Sequence, residues 1–305
     1  MAYAKEQKIM KTTRFVLAVG AVAILCPRAE AQLGMFTKEQ RTEITSEWTG
    51  ERAPDGRPLV PLTILTRMGS VTAEEAWGVL QQAGYKRQFE AGWKVIHTAE
   101  PGKRLVGRVV TAVFMPQRPD LHNFINKKGA EEGRVGKGQN SWVIDTLKPN
   151  DILVVDLFGK IENGTFAGDN LGTSIFSKSK TGLVVDGAVR DVSGISEIKG
   201  FIGYVRDFHP TAIADVTMVG INVPIRIGQV TVLPGDVLLS DPEGLTFIPA
   251  QLAEKVVTTS EDVRARDEWG HLMLRQSKYT PGQVDAKWTP EMDAEFAAWR
   301  AQQKK

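Results

Sequence analysis

The stretch from Asp151 to Asp191 constrains the fold more than any other part of this chain. "DILVVDLFG" (151–159) follows the turn Lys148-Pro149-Asn150, and a second run, "GLVVDGAV", occupies 182–189. Short, almost continuous apolar runs predict strands covered on both faces. Between them lies "FAGDNLGTSIFSKSKTG" (166–182), which predicts a loop and a helix. Gly168 permits an unusual backbone angle, Asp169 and Asn170 are N-cap residue types, Ile175 and Phe176 can face the sheet, and Gly182 is expected to close the helix. A strand–loop–helix–strand unit puts Asp169 at a helix N-terminus and Arg190-Asp191 at the carboxyl end of the next strand. Open α/β sheets collect ligands at such places. Backbone N–H groups at the helix start can hold a carboxylate or an enolate oxygen.

The flanking sequence predicts a mixed α/β or α+β core. Thr72 to about Ala83 reads as a helix opened by a capping box, Thr72 with Glu75. Arg108 to Met115 and "FIGYV" (201–205) read as strands, and "QVTVLPGDVLLSDPEGLTFIP" (229–249) as a three-stranded meander divided by its "PGD" and "DPEG" turns. Helical patterns follow at about Ala250 to Val257 and Glu261 to Arg275, and Thr289-Pro290 starts a last helix. The polar stretch from Gln32 to about Pro61 is expected to wrap or extend rather than form core. The tail from Lys278 onward reads as an appendage whose Trp288 needs a surface to cover.

The chain opens with Lys5, Lys8, Lys11 and Arg14, an uncharged apolar run from Phe15 to Cys26, and the small-x-small tripeptide Ala29-Glu30-Ala31. This order predicts a secretory signal peptide over residues 1–31, cleaved after Ala31. The run is short of the about 20 residues that a transmembrane helix needs, and Leu25 before Cys26 argues against lipid attachment. The alternative is a buried N-terminal helix. An exported protein, periplasmic or secreted, with no membrane insertion after cleavage is expected. Removing five basic and two acidic residues from totals of 38 and 36 leaves 33 and 34, a net charge of −1. The mature part then carries no basic footprint for nucleic acid. Its lack of cysteine excludes disulfides, thiolate metal sites and cysteine nucleophiles.

Gly168-Asp169, twenty intervening residues, then Arg190-Asp191 resembles the D-x20-R-D pattern of the class II pyruvate aldolases. These cleave 4-hydroxy-4-methyl-2-oxoglutarate and 4-carboxy-4-hydroxy-2-oxoadipate and belong to the wider RraA-like family. "RLVGRVVTAVF", "GLVVDGAVRD" and "INVPIRIGQVTVLPGDVLLSDPEGLTFIP" extend the resemblance over roughly Leu62 to Leu274. It implies a β/β/α swivelling-domain fold over 62–275, with an N-terminal extension at 32–61 and a C-terminal extension at 276–305. It also implies a homotrimer or homohexamer and a Mg²⁺ or Mn²⁺ cofactor. By this resemblance Asp191 is the direct metal ligand, Asp169 orients metal-bound water, and Arg190 clamps the substrate carboxylate. Gly168, Asn170 and Leu171 line the substrate, and Glu268, with Asp267 as rival, supplies a carboxylate from a neighbouring subunit. The implied reaction is carbon–carbon lysis of an oxo or hydroxy acid through a metal-bound enolate, by aldol cleavage or decarboxylation. Where the aldolases carry a further acidic residue, this chain has Gly194.

Other readings stay open. Arg190-Asp191 can be a plain surface ion pair, and Glu268 and Asp267 a solvated helix face. "VRD" recurs at 205–207, but the residue 21 positions before Arg206 is Val185, so only the first copy has a partner carboxylate. His97, His122, His209 and His271 lack metal-ligand spacing, and "GRVGKGQN" (133–140) is no nucleotide fingerprint; it is a flexible loop or a lid. The alternative function is a non-catalytic exported binding or regulatory protein that keeps the fold. Mass spectrometry of the protein recovered from an exporting host should find Gln32 as the first residue; an intact residue 1–31 segment would remove the export reading.

Overall fold

The computed structural model describes residues 36–97, 102–136 and 138–303. The expected signal segment and its cleavage point lie outside these residues.

The polar stretch before Leu62 does wrap, but it is tied down and partly helical. α1 (Lys38–Ile44) is opened by a capping box in which Thr37 accepts from Gln40 N–H and the Gln40 side chain accepts from Thr37 N–H. Arg41 is buried and donates to the carbonyls of Phe36, Asp55 and Asn222. Arg57, also buried, pairs with Asp55 at 2.8 Å and with Asp151 at 3.5 Å. The segment is therefore held largely by guanidinium groups that satisfy otherwise buried oxygens, which hydropathy does not reveal.

α2 (Leu62–Met68) and α3 (Ala73–Gln82) follow, the latter with the predicted Thr72–Glu75 capping box in place. Next come β1 (Phe89–Glu90), β2 (Lys94–His97), β3 (Val106–Pro116), α4 (Pro119–Glu131), α5 (Gln139–Ile144) and β4 (Asp151–Thr165). The crossover is completed by α6 (Asp169–Ser179) and β5 (Gly182–Val189), and α7 (Val192–Ser196) and β6 (Ile202–Phe208) continue the chain. The last strands are β7 (Val216–Ile221), β8 (Ile225–Ile227), β9 (Val230–Val232), β10 (Val237–Asp241) and β11 (Gly244–Ile248), before α8 (Ala253–Arg275), α9 (Pro281–Val284) and α10 (Pro290–Gln303).

The main sheet is mixed, in the order β1-β11-β10-β3-β4-β5-β6-β2, with β7 also paired to β3. β3, β4, β5 and β6 run parallel at its centre. Alternation divides the central strands between two cores. Leu153, Val155, Leu183 and Val185 face α5, α6 and α7, whereas Ile152, Val154 and Val184 face the β8–β9 hairpin. Because both faces are covered, both sets are apolar, which is why the runs read as continuous. A third cluster packs α2, α3 and α8 on Val237, Leu239 and Ile248.

Three local expectations are corrected. The stretch 229–249 is not one meander: β9 pairs with β8 in a separate two-stranded sheet, and β10 pairs with β11. Pro234 offers no N–H, Gly235 takes φ +93°, and Asp236 accepts from Leu233 N–H, so this turn carries the chain from the hairpin layer into the main sheet. The two C-terminal helical patterns are one helix, α8, preceded by a 3₁₀ turn at Ala250–Leu252. Within the polar link the Thr258 hydroxyl donates to Glu254 O, one turn back along the same helix. Gly182 does not close α6; Lys180, in the left-handed region, does, and Gly182 starts β5. A Cβ at Gly182 would lie 1.8 Å from Ile202 O, so the glycine serves the close approach of β6.

The surface that Trp288 covers is α8. Trp288, Met292 and Phe296 fold back on Trp269 and Met273 of α8 as a separate core. The Trp269 and Trp288 rings lie 4.7 Å apart, and the Arg266 guanidinium sits 3.7 Å from the Trp288 ring.

Asp236 is buried, with Leu233 N–H as its hydrogen-bond donor, and burial pushes its carboxyl up to about 7. Between the unfolded value near 4 and about 7, the folded state holds a proton that the unfolded state has lost. Stability therefore falls as pH rises through that window, by at most about 1.4 kcal/mol per pH unit. Urea unfolding of Asp236→Asn at pH 4.5 and pH 8 should show the variant gaining on the parent at the higher pH, by up to about 3 kcal/mol.

Candidate active site

The site begins with the way β4 hands the chain to β5. The two strands run parallel from Leu153↔Leu183 to Asp156↔Asp186, after which the β4 register slips until Thr165 faces Ala188. Phe166 N–H then donates to Ala188 O at 2.8 Å, and Arg190 N–H to Ala167 O at 3.0 Å. These bonds lay Phe166-Ala167-Gly168 along the end of β5. Gly168, rather than Asp169 or Asn170, takes the N-cap position of α6, and its carbonyl accepts from Gly172 N–H. Asp169 is the first helical residue, and its Oδ1 accepts from Asn170 N–H at 2.7 Å.

Beyond Val189 the chain turns sharply. Asp191 sits in the left-handed region at φ 53°, ψ 42°, and caps α7 through its carbonyl, which accepts from Ile195 N–H. Aspartate tolerates this region better than most residues, at a cost of about 1–3 kcal/mol. The turn points the carboxylate back at Gly168. A Cβ on residue 168 would lie 2.4 Å from Asp191 Oδ2 and 3.3 Å from Arg190 Nε. Gly168 has an ordinary φ of −113°, so it is needed for space and not for conformation.

Arg190 Nε stands 3.3 Å from Asp191 Oδ2, with the two side chains 42% and 50% exposed. Its guanidinium has no other hydrogen-bond partner among the described residues, leaving donors for an anion from solvent. Asp169 closes the group from the other helix. A Cβ on Gly194 would lie 2.8 Å from Asp169 Cβ and 3.1 Å from its Oδ2. Gly194 is thus the floor on which Asp169 rests, and no side chain fits there while α6 and α7 keep this spacing.

The four residues of the motif are therefore together, and the remaining candidates divide. Asn170 is exposed and its N–H is taken by Asp169; Leu171 is partly buried against the helix-side core. Glu268 and Asp267 are exposed on α8, a helix that packs on α2, α3 and the C-terminal helices. Neither contacts Arg190 or Asp191 within one chain. The second "VRD" is structural: Arg206 is bound by Asp186 at 2.6 Å, Glu90 at 2.8 Å and Ala91 O at 3.1 Å, and it stacks 3.8 Å from the Trp93 ring. His122 and His209 are each 2.9 Å from a threonine hydroxyl, and His271 lines a hollow beside Trp288. Asn140 carried no motif signal, yet it donates to Phe166 O at 2.7 Å, next to the site.

A divalent cation fits the oxygen donors present. Asp191 offers a half-exposed carboxylate in a gap that any Cβ on residue 168 would fill, and Asp169 follows Gly168 with its side chain against Gly194. Among the described residues no cluster of three or more His, Cys, Asp or Glu side chains could hold a metal. The donor set suits a hard ion that keeps most of its waters.

The chain is similar to known proteins. Over 138 residues, 44% of this chain and 65% of the relative, it is 32% identical to a Halalkalibacterium halodurans protein provisionally named 4-hydroxy-4-methyl-2-oxoglutarate aldolase. Over 108 residues, 35% of this chain and 64% of the relative, it is 32% identical to the 4-hydroxy-4-methyl-2-oxoglutarate aldolase of Thermus thermophilus. The matches thus span just under two thirds of these relatives' own lengths. In fold it is similar to Streptomyces coelicolor RraAS2, described as an unusual member of the RNase ES inhibitor RraA protein family, with a TM-score of 0.59 and 24% identity over 71% of this chain and 99% of that one. The RraA-like family profile (Aldolase/RraA) matches residues 71–247, more than half of the sequence, and the chain belongs to the RraA-like family.

Proposed function

We propose that this protein is a divalent-metal-dependent carbon–carbon lyase acting on a small oxo or hydroxy acid. The observation that carries the reading is the convergence of Gly168, Asp169, Arg190 and Asp191 at one turn, with an arginine whose guanidinium is free to meet an anion.

Asp191 and Asp169 would hold Mg²⁺ or Mn²⁺, directly and through water, and the ion would supply Lewis acidity toward an oxo group. Arg190 binds the substrate carboxylate and offsets negative charge as an enolate develops. Asp169, resting on Gly194, would accept a proton through water from a substrate hydroxyl. Aldol cleavage and oxaloacetate decarboxylation both leave the pyruvate enolate, so one site serves either reaction.

The names of the relatives support this reading. We further propose export to the periplasm or medium, on the strength of the signal-like sequence at 1–31. A homotrimer or homohexamer would allow Glu268, exposed on α8, to reach a neighbouring copy's site. The alternative is a non-catalytic binding or regulatory protein that keeps the fold.

Pyruvate release from oxaloacetate and from 4-hydroxy-4-methyl-2-oxoglutarate should depend on Mg²⁺ or Mn²⁺ and stop with chelator. In a coupled spectrophotometric assay Asp191→Ala should lose at least about a hundredfold in kcat/KM, and Arg190→Lys mainly raise KM. A folded protein that binds the ion without turnover would favour the non-catalytic reading. Gly168→Ala should keep its far-UV circular dichroism but lose about tenfold or more in Mn²⁺ affinity by calorimetry, since its Cβ displaces the Asp191 carboxylate.

A further inference from the structure

We infer that Asn140 is a positioning residue for the site, setting the Gly168–Asp169 turn through the Phe166 carbonyl; the catalytic part of this inference rests on the lyase reading. Asn140 lies at the end of the glycine-rich segment 133–140, on the six-residue helix α5. It is 7% exposed, and its Nδ2 donates to Phe166 O at 2.7 Å in a buried setting. The amide orientation follows from the partner, because a carbonyl can only accept. A Cβ on Gly138 would lie 2.7 Å from Asn140 Oδ1, so the glycine leaves room for the amide.

Asn140 does not act alone on its helix. The adjacent Gln139, 6% exposed, accepts from Met218 N–H at 2.7 Å and donates to Asn126 at 2.8 Å. Gln139 thereby ties the start of α5 to β7, while Trp142, Val143 and Ile144 bury the rest of it in the helix-side core. A helix this short has little stability of its own, so these ties fix where Asn140 stands.

The bond reaches the site in two residues. Phe166 N–H and Ala167 O are engaged with Ala188 and Arg190, and Gly168 O starts α6. Among the bonds holding Phe166-Ala167-Gly168, that of Asn140 is made by a side chain. Gly168 in turn lies against Asp191 Oδ2, so a shift of the turn by a few tenths of an ångström changes the gap beside that carboxylate.

The test compares Asn140→Asp and Asn140→Ala with the parent and with Arg67→Ala, which breaks the Arg67–Glu261 pair between α2 and α8, away from the site. Asn140→Asp keeps the shape but sets a carboxylate oxygen against the Phe166 carbonyl. Hydrogen–deuterium exchange should rise about tenfold in the peptides covering 166–172 and 188–194 of both Asn140 variants, and not in β3 or α8. Mn²⁺ affinity, read by electron paramagnetic resonance, should fall about tenfold, with turnover partly restored at saturating Mn²⁺. Arg67→Ala should change none of these. Unchanged exchange at 166–172 would overturn the inference, as would raised exchange with unaltered Mn²⁺ affinity and turnover. If the parent neither binds Mn²⁺ nor turns over, the lyase reading fails on its own, and exchange still decides whether Asn140 holds the turn.

Discussion

The candidate site depends on the parallel pairing of β4 with β5. Parallel neighbours need a crossover, and here α6 supplies it, with Ile175 buried completely against the sheet. Truncating such a buried side chain costs about 2–5 kcal/mol, so the helix position is strongly held. Because the two strands are in register from Leu153 to Asp156, the start of α6 and the end of β5 emerge side by side. Asp169 and Arg190-Asp191 are thus neighbours by topology, although twenty residues separate them in sequence.

Glycines then set the spacing. Gly168 leaves room for the Asp191 carboxylate, and Gly194 lets Asp169 rest on α7. The absence of an acidic residue at 194 is therefore part of how this site packs, and not an isolated loss. Restoring an acid there would push Asp169 and the whole start of α6 outward. Such a shift reaches the gap beside Asp191, so the effect of residue 194 is steric before it is electrostatic.

The two arginine–aspartate pairs show how surroundings decide the role of the same dipeptide. Arg206 is enclosed by Asp186, Glu90 and Trp93 and has spent its donors on the fold. Arg190 has one carboxylate neighbour and open solvent. The first is a brace between β5, β6 and β1; the second keeps donors open to solvent, as the proposed anion-binding role requires. The expectation that only the first copy has a partner carboxylate does not hold, since Arg206 pairs with Asp186, one position off the 21-residue spacing, and with Glu90.

Local chemistry was legible in the sequence: the central strands from their two-sided apolar runs, the α3 capping box, and the crossover that brings Gly168 at the start of α6 against Arg190-Asp191. These follow from short-range periodicity and from one βαβ unit, whose geometry permits few alternatives. The sequence did not show that β9 leaves the main sheet for β8, that Arg41 and Arg57 bind the N-terminal segment to the core, or that Asn140 reaches Phe166. Each of these depends on which layer a turn delivers the chain to, or on a hydrogen bond between residues distant along the chain. Only the tertiary structure decided them, since a polar side chain carries no periodic signature of the carbonyl it will meet.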